Sequence, residues 1–278
     1  MQLNIHHETI YRYEQMQTYS IQLVRLFPAS GPTQTVMDWT VSAPGIKSPS
    51  VDAYGNLVQQ ISLSGAHAHI RVIAHGRVQT LAANAPGVVL PNLSAADPWI
   101  FRQTTPLTEA DTALSDFAAR ALPQGMRSRD DALQLAAAVC GHVSYLTGST
   151  DVAFSAKEAF ALGRGVCQDH AHIALALCRA LGVPARYVSG YFHTDSEHHL
   201  ATHAWVDVAL PDATGQLFWW PLDVTHQCAQ DERHVRLAVG RDYASASPIR
   251  GVRVGHGEEQ MDAKVIVGSA AVRAAEQQ

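Results

Sequence analysis

The sequence predicts an α+β protein: an all-β region, then helices packed on an antiparallel sheet. Three observations carry this. Short strand-like segments separated by turn signals fill the first eighty residues. Three [ST]-x-x-[DE] patterns then precede alanine- and leucine-rich runs. Beyond Pro184 the strand-like period returns. The division this suggests is a β-sandwich-like domain over residues 1–90 and a helix-and-sheet core over 91–278 that ends in a β tail.

The β region reads as LNIHHETIYRY, QLVRLFPA, TVMDWTVSA, NLVQQISL and AHIRVIAHGRVQT, divided by SGPT, APGIKSP and AYGN. Residues 82–98 are proline-rich and aperiodic, as in a linker. Thr108 with Asp111, Ser128 with Asp131 and Ser155 with Glu158 then mark helix starts before ADTALSDFAARAL, DALQLAAAVCGHV and AKEAFAL. A fourth helix is expected over Cys167 to Leu181. Its second half is apolar nearly all round, as in a buried helix, and Gly182 and Pro184 end it. ARYVSGYF, HAWVDVAL and LFWWPLDV follow as strands, and RLAVG, RGVRVGH and DAKVIVGSA form the tail.

Composition excludes several function classes. Charged residues are 16% of the 278 and the net charge is −5, with no basic run, so neither a nucleic-acid partner nor a polybasic membrane anchor is expected. No apolar run reaches the roughly 18 residues of a membrane span. The first residues lack a basic-then-apolar secretion pattern, so the expected location is cytoplasmic. Four cysteines without a C-x-x-C pair read as reduced thiols rather than a disulfide framework or a four-thiolate zinc site.

One thiol stands apart. Cys167 follows Gly163-Arg164-Gly165 at the expected start of the buried helix. Glycines there permit a tight, uncrowded backbone, and the unpaired N–H groups of a helix start favour a thiolate. A thiolate needs a basic partner. His203 begins one strand and Asp223 ends the next. If the two strands form a hairpin, His203 and Asp223 adjoin, and the carboxylate orients the imidazole. Cys167, His203 and Asp223 are therefore the expected catalytic residues. The Cys167 N–H is an expected oxyanion donor; Gln168, Tyr145 and Trp205 are weaker candidates for the oxyanion hole or the cleft.

These residues sit in a recognisable pattern. YLTGST (145–150), GRGVCQDHAHIALALCRALGVPARYVSGY (163–191), THAWVDVALP (202–211) and PLDVTH (221–226) resemble the transglutaminase-like superfamily. HVRLAVGRDYASASPIRGV (234–252) resembles the tail of its bacterial members, and TIYRYEQ with QLVRLFP their N-terminal β region. The resemblance implies a papain-like core with the nucleophile at Cys167, the base at His203 and the third member at Asp223. His170 stands where the family usually has an aromatic residue, and His226 where it often has Asn. The implied activity is acyl transfer at peptide or carboxamide bonds through a thioester, as a cysteine peptidase or amidase acting on a peptide or protein substrate. A protein cross-linker transferring glutamine acyl groups to amines, and a non-catalytic peptide-binding module on the same fold, are the alternatives. The oligomeric state is left open.

The other candidates have simpler readings. Cys140 and Cys178 fall within helical apolar runs and read as inert thiols, and Cys228 is assigned nothing. Asp169 reads as a structural residue, capping the helix or pairing with an arginine. Cys167, His170 and His172 are close in sequence, as are His198, His199 and His203. A helix turns residues 170 and 172 to different faces, and no H-E-x-x-H occurs, so no cofactor is expected; zinc binding is the minority reading, and adventitious metal capture by this histidine-rich region, inhibiting the thiolate, is favoured over a metal mechanism.

Overall fold

The computed structural model describes residues 1–85, 90, 98–194 and 201–269. The N-terminal region is one long antiparallel ribbon with flanking strands. β1 (Gln2–Val24) pairs with β4 (Leu57–Thr80) along almost its whole length. β2 (Gln34–Ser42) and β3 (Ile46–Val51) line the far side of β4. The register slips between Arg12 and Tyr19, and the buried parity of β1 changes there: Leu3, Ile5 and His7 face inward before it, Ser20, Gln22 and Val24 after it. A bulge lets one strand bend and exchange faces without ending. This is why the segments expected as separate strands at 3–13 and 22–29, and at 56–63 and 68–80, belong to two continuous strands. β3 itself begins inside APGIKSP, which the sequence marks as a turn; only Ala43–Gly45 make that turn. In place of two stacked sheets, a single bent sheet supplies both halves of one core, with Leu3 and Ile5 from one half and Val24 and Ile61 from the other.

The helices follow their caps. α1 (Thr112–Ala121) is capped by Asp111, which accepts from the Leu114 N–H at 2.9 Å. Thr108, the expected cap, is instead buried and bonded to Thr105 and to the Arg179 guanidinium. α2 (Arg129–His142) starts with the Ser128–Asp131 box. β5 (Ser144–Tyr145) precedes α3 (Ala156–Leu162), which starts with the Ser155–Glu158 box. β6 (Arg164–Gly165) pairs in parallel with β5. α4 (Cys167–Ala180) is buried on all sides and ends at Gly182, φ 74°. Its Arg179 holds the carbonyls of Phe101, Ala185 and Arg241. A buried cation persists only when its donors are used this fully.

The second sheet has the order β10-β9-β8-β7-β11, all antiparallel. Its strands are β7 (Ala185–Phe192), β8 (Thr202–Pro211), β9 (Leu217–Asp223), β10 (Cys228–Ala229) and β11 (His234–Gly240). One face carries Ala204, Val206 and Val208 and packs on α4 and the other helices. Towards the β11 edge, Tyr191, Val235 and Leu237 join the core of the N-terminal ribbon, while Val188, Trp205 and Val239 are buried on the opposite face. Burial on both faces explains why ARYVSGYF reads as a continuous apolar run. β12 (Ile249–Val254) and β13 (Glu259–Ser269), expected as a tail of the second region, instead pair with the two halves of β1. They close an edge of the ribbon that would otherwise expose unpaired backbone.

Two side-chain amides cover the outer edge of β11. Gln34 exchanges hydrogen bonds with the backbone of Arg236 (2.8 and 2.9 Å), and Asn56 with that of Val239 (2.7 Å each). The N-terminal region thus acts as the missing neighbour of the strand that begins at His234. Gly190, paired with His203, sits at the centre of this packing. A Cβ there would collide with the Val235 carbonyl and lie 2.7 Å from Trp205 Cζ3. Gly190→Ala is expected to destabilise the protein by about 1–3 kcal/mol, the cost of overpacking a closed core. Denaturant unfolding measures this, and an unchanged midpoint would contradict the packing described.

Candidate active site

The nucleophile candidate sits where its helix begins. Asp169 Oδ2 accepts from the Val166 N–H (2.7 Å) and from the Thr150 hydroxyl (2.6 Å), so Asp169 caps α4 and pins the 146–152 loop to it. Burial raises the Asp169 pKa, and these bonds only partly offset it. Gly165 is required by this arrangement, because a Cβ there would lie 2.7 Å from Asp169 Cβ and Oδ2. The first backbone bond of the helix runs from His170 N–H to Val166 O (3.1 Å), which places the N–H groups of Cys167 and Gln168 ahead of it.

The sheet brings the other two residues to the same point. The register of β8 on β9 reaches Val206–Leu222, just before Asp223. His203 Nε2 lies 2.8 Å from Asp223 Oδ2. That leaves the other ring nitrogen free of the carboxylate, and Cys167 lies near enough to the imidazole to raise its pKa. Cys167, His203 and Asp223, far apart in the chain, are thus brought to one place. Burial opposes charge on His203, but the Asp223 charge and hydrogen bond, followed by the Cys167 contact, outweigh it and raise the pKa to about 10. Asp223 is fully buried. Burial pushes it up, yet the His203 charge and the hydrogen bonds of three histidines hold it well below the usual carboxylate range.

Those three histidines form a hub that hairpin reasoning does not reach. Asp223 Oδ2 also lies 2.7 Å from His226 Nδ1 and 2.9 Å from His234 Nε2, while Oδ1 accepts the His226 N–H at 3.1 Å. An ionised carboxylate only accepts, so each facing nitrogen carries a proton. His203, Asp223 and His234 could also be read as ligands of a metal ion. Their nitrogen-to-oxygen separations of 2.8 and 2.9 Å are hydrogen-bond lengths; neighbouring ligand atoms on tetrahedral zinc would stand about 3.3 Å apart. His226 stacks on Phe192 at 4.5 Å, and His234 meets the same ring edge-on at 4.8 Å.

The weaker candidates separate. Tyr145 lies opposite Gly165 in the short parallel pair, and its ring meets His170 edge-on at 6.1 Å. Burial, then the charges of Cys167 and Asp223, push its hydroxyl to about 12, so it stays protonated. Gln168 instead donates to the Val152 carbonyl at 3.2 Å and braces the neighbouring loop. Trp205 is fully buried between Val188 and Val239, where no substrate can reach it. Tyr54, from the N-terminal region, packs against it on that side of the sheet.

His170 is held by the Val143 carbonyl (3.0 Å) and the Thr225 hydroxyl (3.1 Å), and His172 accepts from the Tyr243 N–H (3.1 Å), so neither shares ligands with Cys167. His198 and His199 lie outside the described residues. Cys140 donates to the Val224 carbonyl at 3.0 Å, and burial raises its pKa. Burial pushes the buried Cys178 thiol and Cys228 to about 12, helped at Cys228 by Asp223 and Asp231.

The elevated His203 pKa makes stability depend on pH. The folded state holds a proton that the unfolded chain, with a histidine pKa of 6.5, releases first. The stabilisation is complete below about pH 6.5 and is lost as pH rises towards about 10. Denaturant titrations are expected to show unfolding free energy declining from pH 6.5 to 9, with a shallower decline in His203→Gln; parallel curves would contradict the His203–Asp223 coupling.

Comparison with known proteins agrees with this architecture. Residues 116–224 match the transglutaminase-like superfamily and residues 3–79 the bacterial transglutaminase-like N-terminal region. An uncharacterised protein of Mycobacterium leprae is 29% identical over 278 residues, covering 95% of this chain and 97% of its own. One from Mycobacterium tuberculosis is 29% identical over 270 residues, covering 88% and 85%. A candidate cysteine protease from Cytophaga hutchinsonii superposes with a TM-score of 0.74 at 20% identity, over 97% of this chain and 91% of that one, a likeness of fold. Among the described residues no helix is long and apolar enough to cross a membrane.

Proposed function

We propose that this member of the transglutaminase-like superfamily is a thiol-dependent acyl-transfer enzyme, most simply a cysteine peptidase or amidase. The 2.8 Å His203–Asp223 hydrogen bond, with Cys167 at the start of a buried helix and near enough to raise the imidazole pKa, supports the reading. Cys167, as thiolate beside the His203 imidazolium, attacks a peptide or carboxamide carbonyl. The carbon–sulfur bond forms as the carbonyl π pair moves to oxygen. That oxygen faces the Cys167 N–H, with the neutral Tyr145 hydroxyl as a second donor. The imidazolium passes its proton to the leaving nitrogen, the carbon–nitrogen bond breaks and a thioester remains. His203 then takes a proton from the attacking water, and collapse releases acid and thiol. Asp223 keeps the imidazole oriented and stabilises its charge.

The same three residues serve an amine acceptor, which would make the enzyme a cross-linker. Water is the simpler acceptor, because it needs no second binding site. The substrate in either case is a peptide or protein. The four free thiols suit a reducing compartment, the cytoplasm.

Alkylation tests the thiolate. Iodoacetamide is expected to modify Cys167 rapidly at pH 6–7, well below the free-thiol pKa of about 8.5, while Cys140, Cys178 and Cys228 are spared. A rate that rises only near pH 8.5 would remove the acyl-transfer reading. The acceptor is tested with a glutamine-containing protein and a labelled primary amine: new peptide termini or released ammonia without label are the expected result, and label incorporation would establish the cross-linker. Cys167→Ala is expected to lower either activity by at least about a thousandfold.

A further inference from the structure

The third histidine on Asp223 is not alone. His234 is fully buried at the start of β11, with Nε2 2.9 Å from Asp223 Oδ2. Its Nδ1 lies 3.0 Å from Asp231 Oδ1 and 3.2 Å from the Asp231 N–H. Asp231 Oδ2 in turn accepts from Arg233 Nε (2.8 Å) and the terminal guanidinium nitrogen (2.6 Å). Arg233 lies over the Phe192 ring at 4.8 Å. The imidazole is clamped by Phe192 and by Trp205, whose ring meets it edge-on at 5.2 Å. Whether Nδ1 donates to Asp231 Oδ1 or accepts the Asp231 N–H, Nε2 keeps its proton and donates to Asp223.

We propose that Asp231 and His234 are positioning residues for the acyl-transfer site, a buried second arm that fixes the plane of the Asp223 carboxylate and so the ring of His203. The inference rests on the acyl-transfer reading and extends it. Asp223 ends a strand, and its carboxylate could turn about its own bonds without bracing from the side away from the thiol. His226 is half-exposed and only three residues further along the chain, so it moves with Asp223. His234 comes from a non-adjacent strand whose edge is held by Gln34 and Asn56, and the Thr80 hydroxyl holds the Glu232 carbonyl in the preceding turn. It is therefore a fixed point independent of β9. Through it the N-terminal region, which supplies none of the reacting groups, sets the geometry of the site.

Asp231 is held well below the usual carboxylate range: burial opposes its ionisation, but His234 and Arg233 outweigh burial. The charged or titratable groups facing His234 are Asp223, His203 and His226 around the carboxylate and Asp231 with Arg233 behind it.

His234→Leu removes the donor while keeping an apolar body. It is expected to lower kcat by on the order of ten- to hundredfold, the worth of one hydrogen bond to a charged group, with KM changed less than about twofold. The alkaline limb of Cys167 alkylation should move to lower pH as His203 loses an aligned carboxylate. His234→Gln, whose amide can offer an N–H near the Nε2 position, should recover part of both effects. Asp231→Asn, at a partly exposed position, should shift the limb in the same direction by a smaller amount and serves if His234→Leu does not fold.

An alkaline limb unchanged in folded His234→Leu, or in Asp231→Asn if His234→Leu is unfolded, overturns the proposal, as does a loss that Gln fails to reduce. The wild-type profile separates the two readings. Without rapid alkylation below pH 8 the acyl-transfer site itself is wrong; with it, and with unshifted variants, only the role of Asp231 and His234 is.

Discussion

The structure depends on one buried carboxylate. Asp223 has no access to solvent, and an ionised carboxylate in that position is tolerated only when its lone pairs are filled and its charge is offset. Three imidazole N–H groups and one backbone N–H meet that requirement. They come from β8, from the turn after β9 and from β11, so the contact exists only when the sheet has its full strand order. The same contact raises His203 to about 10 and leaves its second nitrogen off the carboxylate. Folding and the chemistry proposed here therefore draw on one electrostatic arrangement.

The two halves of the chain meet across the second sheet. α4 buries one face and carries the thiol; Tyr54, Leu90 and Phe101 pack on the other, and the N-terminal ribbon meets the sheet at its β11 edge. An antiparallel sheet often leaves one face in water. Here neither is free, and the strand that carries His234 is bordered by side-chain amides in place of another strand. Amide side chains offer a donor and an acceptor in the geometry of a peptide group, so they satisfy a strand edge without extending the sheet. This rigid backing gives the ribbon a mechanical relation to the site even though none of its residues reaches the thiol.

The cysteines show how environment divides identical groups. Cys140, Cys178 and Cys228 are surrounded by apolar atoms, carbonyls or carboxylates, all of which favour the protonated thiol. Cys167 instead stands at a helix start, near enough to the His203 imidazole to raise its pKa.

Local rules made much of this legible in the residues. Capping patterns located α2 and α3, the Gly182 exit located the end of α4, and the glycines before Cys167 marked the tight approach that Asp169 needs. Hairpin order was enough to bring His203 beside Asp223, because adjacent antiparallel strands meet at their ends. Thr108 failed as a cap because a distant buried arginine claimed its hydroxyl, a tertiary demand that no local pattern encodes. Trp205 and Gln168 looked available because alternation and proximity say nothing about what covers a face. The pairing of β12 and β13 with β1, and the arrival of His234 at Asp223, depend on strands far apart in the chain. The sequence by itself determined which residues could do chemistry and which local elements carry them. Only the tertiary structure decided which of them share a buried carboxylate, because strand order and burial follow from the competition of all surfaces for one core.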